Sequence, residues 1–232
     1  MIINNSSTWQ TLSEIITKIS RIILWGIPAT GKTSIGSRTA EGNFWSTTLT
    51  EEQDATELRG HYIPQGNKFV WQDGIGTRAW RKGGTLIINE AQNASADVLN
   101  FLYVLADDPH VAKLTLPTGE TITPHPDFRI VMTTNNEPST CLNDALMSRF
   151  PVQIKVETTD PWIIGKLPET YREIADETCN LPEERRVDVR KWFCFASLLQ
   201  QGIDKDLAGM LVFDNHWETL RDEIALRESP NE

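Results

Sequence analysis

Apolar and polar positions along this chain of 232 residues change period several times, and each change marks an element. From Ser7 to Ser20 the apolar residues Leu12, Ile15, Ile16 and Ile19 recur at helical spacing, and Ser7 with Gln10 three residues later forms a capping-box start. Arg21 to Trp25 is a short apolar run that leads straight into Gly26. Similar strand-like runs lie at Thr85–Asn89, Phe128–Thr134 and Val152–Val156, with a weaker fifth at Trp45–Leu49. Helical patterns separate them, as at Ala96–Leu105, where Val98, Leu102 and Leu105 share a face. Strands alternating with helices predict an α/β fold, a five-stranded parallel sheet with helices on both faces.

Beyond Glu157 the strand pattern stops, and Pro161, Pro168 and Pro182 punctuate short helical stretches. The longest runs from about Val187 to Gln201 and ends at Gly202. This predicts an α/β core over residues 1–157 and a small all-helical domain over 158–232, with the polar end from Glu228 to Glu232 frayed. Two hairpins are expected inside the core. One spans about 58–72, around Gly60, Pro64 and Gly66, and the other about 113–124, around Pro117-Thr-Gly119. Trp25, Trp162 and Trp192 fall in predicted elements and are expected in the interior.

Charge narrows the function classes. Lys and Arg number 22 against 32 Asp and Glu, a net charge of −10, so the chain has no bulk attraction for phosphate backbones and direct nucleic-acid binding is disfavoured. No apolar run is long enough to span a membrane, and the three cysteines, Cys141, Cys179 and Cys194, are too few and too scattered for a disulfide framework. The four histidines do not fall at metal-ligand spacing. These features predict a soluble, cytoplasmic protein.

The sharpest chemical signal is Gly26-Ile27-Pro28-Ala29-Thr30-Gly31-Lys32-Thr33, with Ser34 following, placed after a strand and before a helix. Gly26 and Gly31 let the backbone fold tightly, so that successive N–H groups point at phosphate oxygens, and the helix start adds its positive dipole end. Lys32 brings a point charge to the β- and γ-phosphates, and the Thr33 hydroxyl is a ligand for Mg²⁺. A nucleotide with Mg²⁺ is therefore the expected ligand.

A second strand, Thr85-Leu-Ile-Ile-Asn89-Glu90, ends in two polar residues at the tip where a parallel sheet presents its active edge. Glu90 is the candidate to polarise an attacking water. Asn89 stands where an aspartate is usual; it can accept a hydrogen bond from metal-bound water but carries no charge, so Mg²⁺ is expected to be held less strongly.

Taken in order, Gly26–Thr33, Leu58-Arg-Gly60, Phe69–Gly74, Ala79-Trp-Arg-Lys-Gly83-Gly84, Gly84–Glu90, His125–Arg129 with Val131–Asn135, and Ala145–Phe150 resemble an AAA+ ATPase of the MoxR-like group. This is the dynein-related type of AAA domain, with cobaltochelatase-type and gas-vesicle-type relatives. The resemblance is close over residues 21–156 and loose over the helical tail. It implies that Asn135, rather than its neighbour Asn136, is the residue at the tip of a third strand that bonds the γ-phosphate or the water. It implies that Arg149 is an arginine finger reaching the site of the next subunit, with Arg129 a rival interface cation. In the helical domain, Val187-Asp-Val-Arg190 resembles the segment that reports nucleotide to a lid, with Arg185 and Arg186 as rivals to Arg190.

The function this implies is an ATP hydrolase. A homo-oligomeric ring, by family expectation a hexamer, binds ATP at subunit interfaces and remodels a protein client, chaperone-like, often with a von Willebrand A-type partner. The alternative is an ATP-binding assembly switch with little intrinsic hydrolysis, for which Asn89 is the sequence support. A motor subunit of a nucleic-acid-processing complex is the third reading, and the net charge weighs against it.

Overall fold

A computed structural model describes residues 1–39 and 43–228; of the end expected to fray, Glu228 closes the last helix and residues 229–232 lie outside the described ones. The chain divides into two compact units.

The first unit takes in Met1–Ile3, Gln10–Ile27 and Lys32–Val156. Its sheet has six strands rather than the five expected: β1 (Ile2–Ile3), β2 (Arg21–Gly26), β3 (Phe44–Thr48), β6 (Gly84–Asn89), β9 (Phe128–Thr134) and β10 (Val152–Val156). The spatial order is β1-β10-β2-β9-β6-β3, and every pairing is parallel. The extra strand is two residues long, too short to register as a period, and it pairs Ile2 with Lys155 and Ile3 with Val156 at the sheet edge. All six residues of β6 are buried, as a strand covered on both faces must be. The edge strand β3 has no buried residue, which explains its weaker pattern.

Register fixes the chemistry. Ile23 pairs with Met132 and Ile87 with Val131, so β9 lies between β2 and β6. The carboxyl ends of these three strands carry Gly26, Asn135 and the Asn89-Glu90 pair side by side, at the edge where open parallel sheets bind ligands. The main core joins Ile23, Leu86, Ile88, Ile130 and Met132 of the sheet to Val98, Leu102 and Leu105 of α5 (Ala96–Leu105) and to Trp80 of α4 (Ile75–Lys82). Ser95 caps α5 by accepting from the Val98 N–H.

The expected hairpins are present with shifted limits. β4 (Gly60–Gln65) and β5 (Lys68–Asp73) form the first, and Leu58 belongs instead to a preceding short helix, α3 (Ala55–Arg59), capped by Asp54. β7 (Leu114–Thr115) and β8 (Thr121–Ile122) form the second. The first helix, α1, runs Ser6–Ile15 and passes into a 3₁₀ turn at Ile16–Lys18. Its cap is not Ser7: the Asn5 side chain accepts from the Thr8 N–H at 2.9 Å.

The second unit comprises Asn4–Trp9, Pro28–Gly31 and Glu157–Glu232. Its elements after Glu157 are all helical among the described residues: α8 (Pro161–Ile164), α9 (Glu169–Cys179), α10 (Val189–Gln200), α11 (Lys205–Phe213) and α12 (Trp217–Glu228). An aromatic nucleus of Tyr171, Trp192, Phe195, Phe213 and Trp217 organises it, with neighbouring ring centroids 4.8 to 6.3 Å apart. Gly209 sits mid-helix in α11, against helix propensity, because a Cβ there would run into the Trp217 indole. Of the three tryptophans expected inside, Trp192 is buried and Trp25 half-buried. Trp162 is exposed instead, with the Lys166 ammonium 3.5 Å above its ring.

Candidate active site

The glycine loop departs from ordinary backbone at three residues: Gly26 (φ 126°), Ala29 (φ 59°) and Gly31 (φ 102°). A Cβ at Gly26 would collide with the Val156 carbonyl oxygen, so the end of β2 admits only glycine. Lys32 opens α2 (Lys32–Arg38) and is buried. Its ammonium donates to the Gly26 carbonyl at 2.8 Å, to the Ile27 carbonyl at 2.7 Å and to Asn135 Oδ1 at 3.2 Å. A buried ammonium needs acceptors of this kind.

Asn135 links this lysine to Glu90. While its Oδ1 accepts from Lys32, its Nδ2 donates to both Glu90 carboxylate oxygens, at 3.2 and 3.1 Å. Gln92 Nε2 adds a 2.6 Å bond to Glu90 Oε2. Glu90 itself is held in the left-handed region (φ 53°, ψ 48°), a conformation that costs a non-glycine residue on the order of 1–2 kcal/mol. That kink turns the chain out of β6 and leaves the carboxylate facing Asn135.

Asn89 is buried and uses its whole amide. Its Oδ1 accepts from Thr33 Oγ1 at 2.6 Å and from Thr133 Oγ1 at 3.2 Å. Its Nδ2 donates to Ser46 Oγ and to the Thr47 carbonyl, each at 3.1 Å. Thr33 and Asn89 thus present two hard oxygen donors 2.6 Å apart, a set that suits Mg²⁺ through direct and water-mediated contacts.

Lys32, Thr33, Asn89, Glu90 and Asn135 therefore meet at one sheet edge within the first unit. Pro28, Ala29, Thr30 and Gly31 group with the helical unit, where the Thr30 carbonyl accepts from the Asp160 N–H at 2.8 Å. Ser34 lies in the first turn of α2, half-buried. Asn136, the rival to Asn135, has its backbone N–H bonded to Thr134 Oγ1 and is not part of the cluster. Arg149 is half-buried after α7 (Asp144–Met147); it donates from Nε to the Tyr103 carbonyl and from Nη1 to the Ala145 carbonyl.

In the helical unit Arg190 occupies the first turn of α10 and is exposed. Its rival Arg186 is the arginine that touches the loop, donating from Nη2 to the Pro28 carbonyl at 3.1 Å and from Nε to the Cys179 carbonyl at 2.7 Å. Burial pulls the Arg186 pKa below the usual arginine value and pushes the Cys179 thiol up to about 12, which leaves that cysteine without nucleophilic character. Sequence reasoning did not single out Ser46, Thr133 or Gln92. Gln92 stood within reach, two residues after Glu90; the others come from separate strands and carry no local signal.

A parallel sheet whose central strand ends feed a glycine loop, a buried lysine and a glutamate held by an amide defines the P-loop nucleotide-binding class. Within that class the chain belongs to the family described as the AAA domain (dynein-related subfamily), which matches residues 21–150. It is 33% identical over 117 residues to midasin of Dictyostelium discoideum, covering 47% of this chain and 2% of that one. It is 35% identical over 85 residues to protein NorQ of Paracoccus denitrificans, covering 37% of this chain and 31% of NorQ. The chain thus spans well under half the length of these relatives. A solved structure from Cytophaga hutchinsonii superposes with a TM-score of 0.50 at 18% identity, over 68% of this chain and 48% of that one, and supports the fold. No helix among the described residues is long and apolar enough to cross a membrane.

Proposed function

We propose that the protein hydrolyses ATP at the interfaces of a ring of its own copies and uses the energy to remodel a protein partner. The observation that carries this is the continuous chain from Lys32 through Asn135 to Glu90 at the ends of adjacent strands. When ATP enters, Lys32 exchanges the Gly26 and Ile27 carbonyls for phosphate oxygens. Asn135, no longer needed by the lysine, turns its amide toward the γ-phosphate or the water. Glu90 is then free to take up the water's proton as it attacks, and general-base action of this kind contributes on the order of 10²–10⁴ in rate. Thr33 and Asn89 are the residues that would hold Mg²⁺, which would supply charge neutralisation of the phosphates.

Arg149 of one copy stabilises the phosphoryl group in its neighbour, and the site is incomplete without it. Residues 158–232 act as the lid, with Arg190 answering the nucleotide and Arg186 tying the loop to the helices. The client, with a von Willebrand A-type partner as the family expectation, is engaged through the two hairpins. Hexameric assembly and a cytoplasmic setting follow the same expectation.

The test is Mg²⁺-dependent ATP turnover across a range of protein concentrations. Specific activity should rise with concentration. Glu90→Gln and Arg149→Ala should each lower it by about 10²-fold or more while ATP binding persists. A second reading, an ATP-dependent assembly switch, draws support from Asn89, whose neutral amide is engaged on both sides. ATP binding with no turnover at any concentration would favour that switch.

A further inference from the structure

Tyr103, on α5, meets the Arg149 segment through three different groups. Its backbone carbonyl accepts from Arg149 Nε at 3.2 Å. Its ring lies beneath the guanidinium, with the Arg149 Cζ 5.3 Å from the centroid. Its hydroxyl accepts from Asn143 Nδ2 at 2.5 Å, and the Oδ1 of the same asparagine caps α7 by accepting from the Leu146 N–H at 2.9 Å. One side chain thus braces both ends of the short segment that carries the arginine.

The arginine itself is half committed. Nε and Nη1 are bonded to the Tyr103 and Ala145 carbonyls, whereas Nη2 has no hydrogen-bond partner among the described residues. Asp107 stands 3.9 Å from Nε, a partly exposed ion pair that contributes little to holding it. The side chain lines a surface groove of about 270 Å³ with Tyr103, Asp107, Val111 and Lys113. A long arginine free in solvent loses about 2 kcal/mol of rotamer entropy when it is fixed. One already bracketed by a ring and two carbonyls has lost most of that freedom before an anion arrives.

We infer that Tyr103 is a positioning residue for Arg149, presetting the guanidinium so that its unbonded Nη2 edge meets the phosphoryl group of a neighbouring copy. The inference rests on the reading of Arg149 as an arginine supplied in trans. Tyr103 touches no nucleotide; it acts through the arginine.

A mixing experiment separates the two ideas. A chain carrying Arg149→Ala keeps Glu90 but donates no arginine, and a chain carrying Glu90→Gln keeps the arginine but cannot turn over. Mixed, they should recover activity at the interfaces where an intact Glu90 meets an intact Arg149. With Tyr103→Leu added to the Glu90→Gln chain, the recovered kcat should drop about ten-fold, with KM for ATP unchanged, because the ring and the Asn143 link are both lost. With Tyr103→Phe, which keeps the ring, recovery should return to within about three-fold of the unsubstituted donor. Full recovery with the Tyr103→Leu donor would overturn the inference, as would equal losses for both substitutions accompanied by a raised KM. If the Glu90→Gln donor alone restores nothing, the arginine in trans is itself wrong, and the role of Tyr103 goes with it.

Discussion

Asn89 shows how much one amide can hold. An aspartate at this position would keep the acceptor for Thr33 and Thr133 but would have no N–H for the Thr47 carbonyl, which it would face with a second negative oxygen. Ser46 can rotate its hydroxyl and become the donor; the carbonyl cannot. Asn89→Asp should therefore destabilise the nucleotide-free protein by about 1–3 kcal/mol, the usual cost of a buried acceptor left without its donor. The added charge should tighten Mg²⁺ binding. Urea unfolding of both proteins with and without Mg²⁺ and a non-hydrolysable ATP analogue measures this: the deficit should be largest without ligand and narrow with it. Equal stability without ligand would mean that the ties to β3 contribute nothing, and the neutral residue would need another explanation.

At the scale of elements, Arg81 joins α4 and the strand before it to a hairpin 39 residues further along the chain. From α4 it reaches Asp73, the last residue of β5, at 3.0 Å, and holds Glu120, just before β8, through two bonds of 2.6 and 3.0 Å. Trp71 Nε1 donates to the same Asp73 at 2.7 Å, so both hairpins are tied to one guanidinium. The hydrogen bond from Arg81 holds the Glu120 carboxyl below its ordinary pKa. A group depressed in the folded state stabilises above its unfolded pKa and loses that contribution as pH falls through the folded one. The stability difference between wild type and Arg81→Met should accordingly be greatest near neutral pH and shrink below about pH 4, as measured by urea unfolding at several pH values; a difference independent of pH would remove Glu120 from the network. The central strands were legible in the sequence because β6 and β9 are covered on both faces and carry apolar stretches, Leu86–Ile88 and Ile130–Met132, at their centres. β1 was not, since two residues carry no period, and α4 was masked by the glycines at both its ends, Gly74 and Gly83. The glycine loop, Glu90 and Asn135 could be picked out as local motifs. The partners that fix Asn89 and Arg149 were not: Ser46 and Thr133 lie 43 and 44 residues from Asn89 and Tyr103 lies 46 from Arg149, and no spacing rule connects them.

For the whole molecule the decisive quantity is the net charge of −10. Copies that assemble into a ring must bring like charges together, and the repulsion between them is long-ranged at low salt, where the Debye length is about 30 Å at 0.01 M, and short at about 8 Å near 0.15 M. Self-association should therefore strengthen as NaCl is raised from about 0.01 to 0.15 M, with sedimentation in the presence of the ATP analogue shifting toward the larger species at fixed protein concentration. A nucleic-acid motor would behave in the opposite way, because its grip on phosphates releases counterions and weakens steeply with salt. The two readings thus predict opposite signs in one titration: assembly that grows with salt and no retention of DNA at any salt for the protein-remodelling ring, against DNA retention that is strongest at low salt. If assembly instead fell as salt rose, attraction between oppositely charged faces would outweigh the net charge, and the contacts between copies would have to be sought among pairings of basic residues such as Arg149 with acidic surfaces.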